Sequence, residues 1–389
     1  MKLLYALRTA ATQIALPLAI AAALIPTSTS AQSGAEEPAV GSQEWWAEFR
    51  IKAAARDASL EKVILSRAMD QAMKDYGDSE FAKALPVFLQ VQSGTDFSAT
   101  TAQFLLGQMH QSGYGVVANE DEAIRYYTLA AAGGSDGGWP VAHYILGNIY
   151  NANSNYADAE IQYRKFTVSP NASARDKAEA RYQLGKIYSR GEGVPQDYAV
   201  AGEQFGLAAL SGNGHNDARY ELGMGYLEGK GVGQDYAKAA KHFQIAAVYN
   251  EAADQPGVVD AQYALGALYA AGKGVAQSDT EAMKYLRMAA GDDHIKAQFA
   301  VGMMFAAGKG VPQSISTAYL WIARAAEGDA STRGLSEITK AMIGAENGTA
   351  QAIAARDSIR TGMTADQIAD AQILVDRCIA SKYACNWGD

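Results

Sequence analysis

Apolar residues along this chain return first at a helical period and then at a much longer one. Within residues 218–247, Ala218, Leu222, Gly223 and Tyr226 share one helical face, and Ala239, Phe243, Ala246 and Ala247 share another. Gly229-Lys230-Gly231-Val232 separates the two runs and Asp235 opens the second. This pattern predicts two short helices around a glycine hinge.

The same unit recurs. First-helix anchors are Ala102/Leu106/Gly107, Ala142/Leu146/Gly147, Ala180/Leu184/Gly185, Ala218/Leu222/Gly223, Ala261/Leu265/Gly266 and Ala297/Val301/Gly302. Glycine inside a helix costs about 1 kcal/mol against alanine, so its return at one phase predicts a neighbouring helix in close approach. The residue eight after the alanine is His110, Tyr150, Tyr188, Tyr226, Tyr269 or Phe305.

Five units carry the hinge, at Gly113/Gly115/Val116, Gly191/Gly193/Val194, Gly229/Gly231/Val232, Gly272/Gly274/Val275 and Gly308/Gly310/Val311. One glycine is expected to end the helix in the left-handed conformation, with valine folding back towards the core. Three residues later stand Asn119, Asp197, Asp235, Ser278 and Ser314, all good N-caps. Glu122 and Glu281 follow their caps by three, the spacing of a capping box. Each second helix then carries an alanine (Ala123, Ala201, Ala239, Ala282, Ala318) and closes on a double alanine. Small residues at a fixed phase allow close helix packing. The unit at Ala142 lacks the hinge glycines, and its Ala159 comes four residues early.

The ends differ. Residues 1–31 read as a cleavable signal peptide: Lys2 and Arg8, an apolar run from Ile14 to Ile25, then Thr29-Ser30-Ala31 for cleavage. The run is short for a membrane span, so no stable span is expected after cleavage and the protein is expected to be periplasmic or secreted; a retained anchor is the alternative. Residues 32–43 read as a flexible leader and 44–101 as N-terminal helices forming a degenerate or capping repeat, with Asp78 or Ser79 capping a helix over Glu80–Gln92. Residues 102–328 hold the array, and 329–389 are capping helices and a tail. Cys378 and Cys385 are the two cysteines, expected to pair in an oxidising compartment with a helix ending between them.

Formal charge is −9, and removal of residues 1–31 leaves 31 basic against 42 acidic residues, a net of −11. Such a chain lacks the basic stripe that phosphate backbones need, so nucleic acid is excluded as the expected partner.

The pattern A-x-x-x-L-G-x-x-Y…G-x-G-V-x-x-[DNS]-x-x-x-A…A-A resembles the Sel-one-like repeat family, within the tetratricopeptide-like α-solenoids. It covers Ala102 to about Gly328 and, more weakly, Leu60–Gln92. The Ala142 unit resembles a plain tetratricopeptide repeat, and Met363–Ala369, with Thr364 as cap, resembles the tail helix of exported bacterial members. The resemblance implies an all-α, right-handed solenoid of helix-turn-helix repeats that binds a protein or peptide in a concave groove.

Catalytic chemistry finds little support. His110, His143, His215, His242 and His294 form no ligand pair and are read as structural. Gly-Lys-Gly in three hinges lacks the phosphate-loop spacing and the preceding strand. Ser59-Leu60-Glu61-Lys62 matches the S-x-x-K spacing of penicillin-recognising enzymes without S-D-N or K-T-G, and it carries the alternative of a cell-wall-directed or β-lactam-binding hydrolase. The expectation is a scaffold, not an enzyme, with no metal and no cofactor.

Two rows of first-helix residues are candidate groove positions. An aromatic follows each anchor alanine by two (Phe104, Tyr144, Tyr182, Tyr220, Tyr263, Phe299), about 200° around the helix from it. By resemblance to tetratricopeptide arrays this row faces the inner groove; the alternative is a ladder packing one first helix on the next. Beside it, Gln108, Asn148 and Lys186 give way to Met224, Ala267 and Met303, so the groove is expected to run from polar to apolar.

Overall fold

The computed structural model describes residues 58–94, 96–133, 139–211, 214–248, 255–327, 345–369, 371 and 373. The signal peptide, the leader, residues 44–57, and Cys378 and Cys385 lie outside the described residues, as does the side chain of Ser59. The described residues fall into two compact units, divided between Ile149 and Tyr150.

The first unit contains α1 (Ala58–Gly77), α2 (Phe81–Val91), α3 (Phe97–Ser112), α4 (Glu120–Ala132) and most of α5 (Pro140–Ala152). The second contains α6 (Tyr156–Val168), α7 (Ala174–Arg190), α8 (Tyr198–Leu210), α9 (Asn216–Glu228), α10 (Tyr236–Ala246), α11 (Val259–Ala271), α12 (Asp279–Gly291), α13 (Ile295–Ala307), α14 (Ile315–Glu327) and α15 (Ala345–Thr361). No β-strand occurs among the described residues. In the second unit α7 packs on α8, α9 on α10, α11 on α12 and α13 on α14, and each pair packs on the next; in the first, α1 packs on α2 and α3 on α4. This is an all-α solenoid of consecutive helix pairs. After it α15 lies against α14, and Met363, Ile368 and Ala371, which follow α15, cluster with Tyr319, Leu320 and Ala323.

The helix pairs approach closely where glycine permits. A Cβ on Gly185, Gly223, Gly266 or Gly302 would lie 2.4–2.7 Å from Phe205, Phe243, Leu286 or Ile322 of the paired helix. The anchor alanines Ala180, Ala218, Ala261 and Ala297 are fully buried beside them.

Each hinge is closed by one repeated hydrogen bond. The N–H of the cap residue donates to the carbonyl of the residue eight after the anchor alanine: Asn119 to His110, Asp197 to Tyr188, Asp235 to Tyr226, Ser278 to Tyr269 and Ser314 to Phe305, at 2.9–3.0 Å. The unit without hinge glycines keeps the bond, Asn155 to Tyr150 at 2.8 Å, so the longer hinges are loops inserted within it. Both hinge glycines, and not one, have positive φ. The first ends the helix. The second abuts the preceding repeat: a Cβ on Gly231 would fall 1.8 Å from the Tyr198 carbonyl oxygen, and one on Gly274 2.2 Å from that of Tyr236.

Two capping expectations are corrected. Asn119, Asp197, Asp235, Ser278 and Ser314 do accept from the backbone of the first helical turn, but Glu122 and Glu281 do not return the bond. Their cap N–H groups are already held by the hinge, so Glu122 pairs with Arg125 and Glu281 with Lys284 instead. At Thr364 the N–H is not so engaged, and a full capping box forms with Gln367, at 2.9 and 3.2 Å. Neither Asp78 nor Ser79 caps α2: Ser79 has φ +65°, Glu80 occupies the cap position, and no side chain bonds there.

Candidate interaction face of the first helices

The aromatic row is a packing element before it is a surface. In the first unit Phe104 is buried and stacks on Trp139 at 4.8 Å; Tyr144 is half-buried. In the second unit Tyr182 stacks on His215 at 4.6 Å and Tyr263 on His294 at 4.6 Å. Trp139, His215 and His294 each stand three residues before the next anchor alanine. A ring on one first helix is thus covered by a ring at the start of the next. Tyr182 and Tyr220 also tilt against Phe205 and Phe243 of their paired helices. Phe299 is covered differently, in a cluster with Ile322 and with Ala355 and Ile359 of α15. Burial pushes the Tyr220 hydroxyl up to about 12 and raises that of Tyr182 as well.

The two histidines do more than cover tyrosines. His215 Nδ1 accepts from the Ala218 N–H at 3.3 Å and His294 Nδ1 from that of Ala297 at 3.0 Å, so both are N-caps of first helices. Their Nε2 atoms reach back to the preceding first helix, His215 to Glu179 at 3.0 Å and His294 to Asp260 at 3.2 Å. The hydrogen bond from His215 holds the Glu179 carboxyl below its ordinary range, and that from His294 does the same for Asp260. Sequence reasoning missed this role, although both histidines stand three residues before an anchor alanine with an acid three residues before the aromatic they cover. It also missed the glutamine preceding four of the caps. Gln196, Gln234, Gln277 and Gln313 donate to the last turn of the first helix, at Ser189, Leu227, Ala270 and Ala306.

Two of the three hinge lysines have local partners too. Lys230 pairs with Glu228 at 2.8 Å and lies 5.6 Å over the Tyr198 ring; Lys273 lies 5.4 Å over Tyr236. Each lysine thereby bridges to the second helix of the preceding repeat.

The neighbouring row remains at the surface. Gln108 in the first unit is half-buried, with the Tyr76 hydroxyl donating to it at 3.3 Å, and Asn148 is exposed. In the second unit Lys186 rests over the Tyr182 ring at 5.2 Å, Met224 is half-buried, Ala267 is exposed and Met303 is 44% exposed. On three of these four helices the next residue is buried, Ile187, Leu268 and Met304; on α9 it is the half-buried Gly225. The structure therefore separates the two rows: Phe104, Tyr182, Tyr220 and Tyr263 pack between repeats, and the Lys186–Met224–Ala267–Met303 row borders solvent. A further exposed apolar row, not foreseen, lies on the second helices at Leu207, Ile245 and Met288.

Compared with known families, the chain matches the Sel1 repeat at residues 100–135, 178–213, 216–247, 259–294 and 295–329. This chain is a Sel1 repeat protein. The matched stretches are the five hinge-bearing units and pass over residues 136–177, which hold the unit without hinge glycines. Among solved structures, this Sel1 repeat protein is similar to one from Oxalobacter formigenes (24% identity, 67% of this chain and 99% of that one, TM-score 0.46). It is also similar to c5321, a protective antigen of uropathogenic Escherichia coli displaying an SLR fold (22%, 83% and 87%, 0.38). A third is a putative Sel1 repeat protein from Klebsiella pneumoniae subsp. pneumoniae (22%, 57% and 93%, 0.32). No curated protein matches the chain. Sel1 repeats are protein-interaction modules, and a scaffold for protein–protein contact is the function at that level. Among the described residues no helix is long and apolar enough to cross a membrane.

Proposed function

We propose that the protein is an exported, non-catalytic scaffold that holds a segment of a protein partner along the exposed row of its first helices, in envelope assembly or signalling. The observation that carries this is the Lys186–Met224–Ala267–Met303 row, which stays at the surface while its helical neighbours Ile187, Leu268 and Met304 are buried. Exposed methionines adapt to varied apolar side chains, which suits peptide capture. The test places a photo-cross-linking residue singly at 186, 224, 267 or 303, and at the second-helix positions 207, 245 and 288, then exposes each variant to an envelope extract. The same protein cross-linked from the first-helix row supports the reading; cross-linking confined to the second-helix row overturns it.

Export rests on the residue 1–31 segment and on the spacing of Cys378 and Cys385. Expression with the native N-terminus should give a periplasmic or secreted product beginning at Gln32, with neither cysteine alkylated until reductant is added. A full-length cytoplasmic product removes export from the proposal.

A further inference from the structure

At most repeat boundaries of the second unit two side chains fill the seam between a second helix and the first helix that follows. One stands just after the second-helix alanine and the other seven residues after the first-helix alanine. At the α12–α13 boundary these are Met283 and Met304, both buried in one cluster. At α10–α11 they are Ala240 and Leu268, again in one cluster. At α6–α7 they are Glu160 and Ile187, both buried. At α8–α9 alone among these four, both positions are glycine: Gly202 and Gly225.

Beside these glycines lies a cleft of about 300 Å³; a Cβ on Gly225 would stand 3.1 Å from the Lys230 carbonyl oxygen, so that glycine serves a close approach and the open space lies at Gly202. Its lining is apolar and aromatic at Phe205, Val232, Tyr198 and Tyr220, and charged at Glu221 and at the Glu228–Lys230 pair. A Cβ on Gly202 would meet nothing nearer than Val232 at 3.6 Å, so the space is open where Met283 stands in the later repeat. The backbone does not need the glycine there, because neither a positive φ nor a close approach demands it.

Charge around the cleft is unbalanced. Lys230 is held by Glu228 at 2.8 Å, Arg190 pairs with Glu192 at 3.7 Å, and Lys186 lies over Tyr182. None of the described residues gives the Glu221 carboxylate a hydrogen bond or an ion pair. Burial holds that carboxyl above its usual range against the opposing charges of Arg190 and Lys186, and Asp217 and Asp260 add smaller upward pushes. A half-buried acid without a partner, beside aromatic rings and an apolar lining, matches a side chain with an aliphatic stem and a cationic head.

We propose that the α8–α9 cleft is a side-chain pocket for a lysine or arginine of an extended partner peptide, its stem over Gly202 and its cation at Glu221. The proposal rests on the peptide-scaffold reading and fixes one specificity element within it. The overall negative charge of the chain favours approach of such a segment.

The experiment titrates the full chain with four acetylated, amidated tripeptides, Ala-Lys-Ala, Ala-Arg-Ala, Ala-norleucine-Ala and Ala-Glu-Ala, while following the ¹³C-methyl resonance of Met224, which lines the cleft. A saturable shift is expected with the lysine and arginine peptides, at least fivefold weaker with norleucine and absent with glutamate. Glu221→Gln should bring lysine down to the norleucine response, and Gly202→Met, whose Cβ the structure accommodates, should abolish all responses at an unchanged melting temperature. Equal responses to lysine and norleucine, no saturable shift with any peptide, or a full lysine response in folded Gly202→Met each overturn the pocket. Should Gly202→Met not fold, Glu221→Gln decides alone: an undiminished lysine response overturns the proposal. Cross-linking from the first-helix row reads the scaffold separately. Cross-linking without a tripeptide response removes the pocket alone, and a tripeptide response without cross-linking removes the scaffold reading alone.

Discussion

The ring of His294 lies on the ring of Tyr263 with centroids 4.6 Å apart, while its Nδ1 accepts from the Ala297 N–H at 3.0 Å. One side chain thus starts α13 and fastens it to α11. His294→Ala should cost about 1–3 kcal/mol, the sum of a lost cap and a lost ring contact. His294→Asn restores the cap without the ring and should recover roughly 1 kcal/mol of that. Urea unfolding of both variants checks the partition; identical losses would show that the cap contributes nothing.

The hinge glycines differ from those inside the helices, and substitution separates them. Gly231→Ala sets a Cβ 1.8 Å from the Tyr198 carbonyl oxygen at a φ of +74°. It should destabilise by more than about 2 kcal/mol, because strain and clash add. Gly206, inside α8, has nothing within 4 Å of its Cβ position, and Gly206→Ala should stabilise by up to about 1 kcal/mol. Thermal melts of the two variants should move in opposite directions.

Much of this fold was legible in the sequence because its constraints are local and repeated. The first hinge glycine, the caps Asp197 and Asp235, and the anchor Ala218 each answer to the backbone within a few residues. What escaped were relations between repeats. The second hinge glycine is dictated by a carbonyl in the preceding repeat, about 33 residues earlier for Gly231 and Tyr198. The partnership of Glu179 with His215 spans 36 residues and has no helical period to announce it. The spacing predicts capping boxes at Glu122 and Glu281, but the hinge claims the same cap N–H, a competitor that the motif alone does not show. The aromatic row is legible in the sequence, while the orientation of its rings depends on Trp139, His215 and His294, which belong to the next repeat.

Acid should loosen the α7–α9 seam. His215 and Gln183 hydrogen bonds hold Glu179 below its ordinary value of about 4.5, so on acidification the unfolded chain takes up this proton first. The contribution is whole above about pH 4.5 and is lost as pH falls through the lower folded-state value. Glu179→Gln should flatten this part of the stability profile while leaving the neutral-pH fold intact. Melting temperatures taken between pH 6 and pH 3 test this; an unchanged acid slope in Glu179→Gln would place the acid sensitivity elsewhere.

The two first-helix rows should respond differently to substitution. Tyr220 is tilted against Phe243 at 5.8 Å and belongs to a packed cluster. Tyr220→Ala should therefore lower stability by about 1–3 kcal/mol, less than a fully buried aromatic would, and any loss of partner would follow from loosening. Met303 is 44% exposed on α13 and belongs to neither of the packed clusters around that helix. Met303→Glu should leave the melting temperature within about a degree or two, since surface substitutions stay near ±0.5 kcal/mol. It should nevertheless weaken capture of the cross-linked partner about tenfold, because it buries an unpaired charge at the contact. The same pull-down on both variants, read beside their melts, tells the rows apart. Full capture by Met303→Glu, together with selective loss in a Tyr220→Ala protein of unchanged stability, would reverse the assignment and make the aromatic row the binding surface.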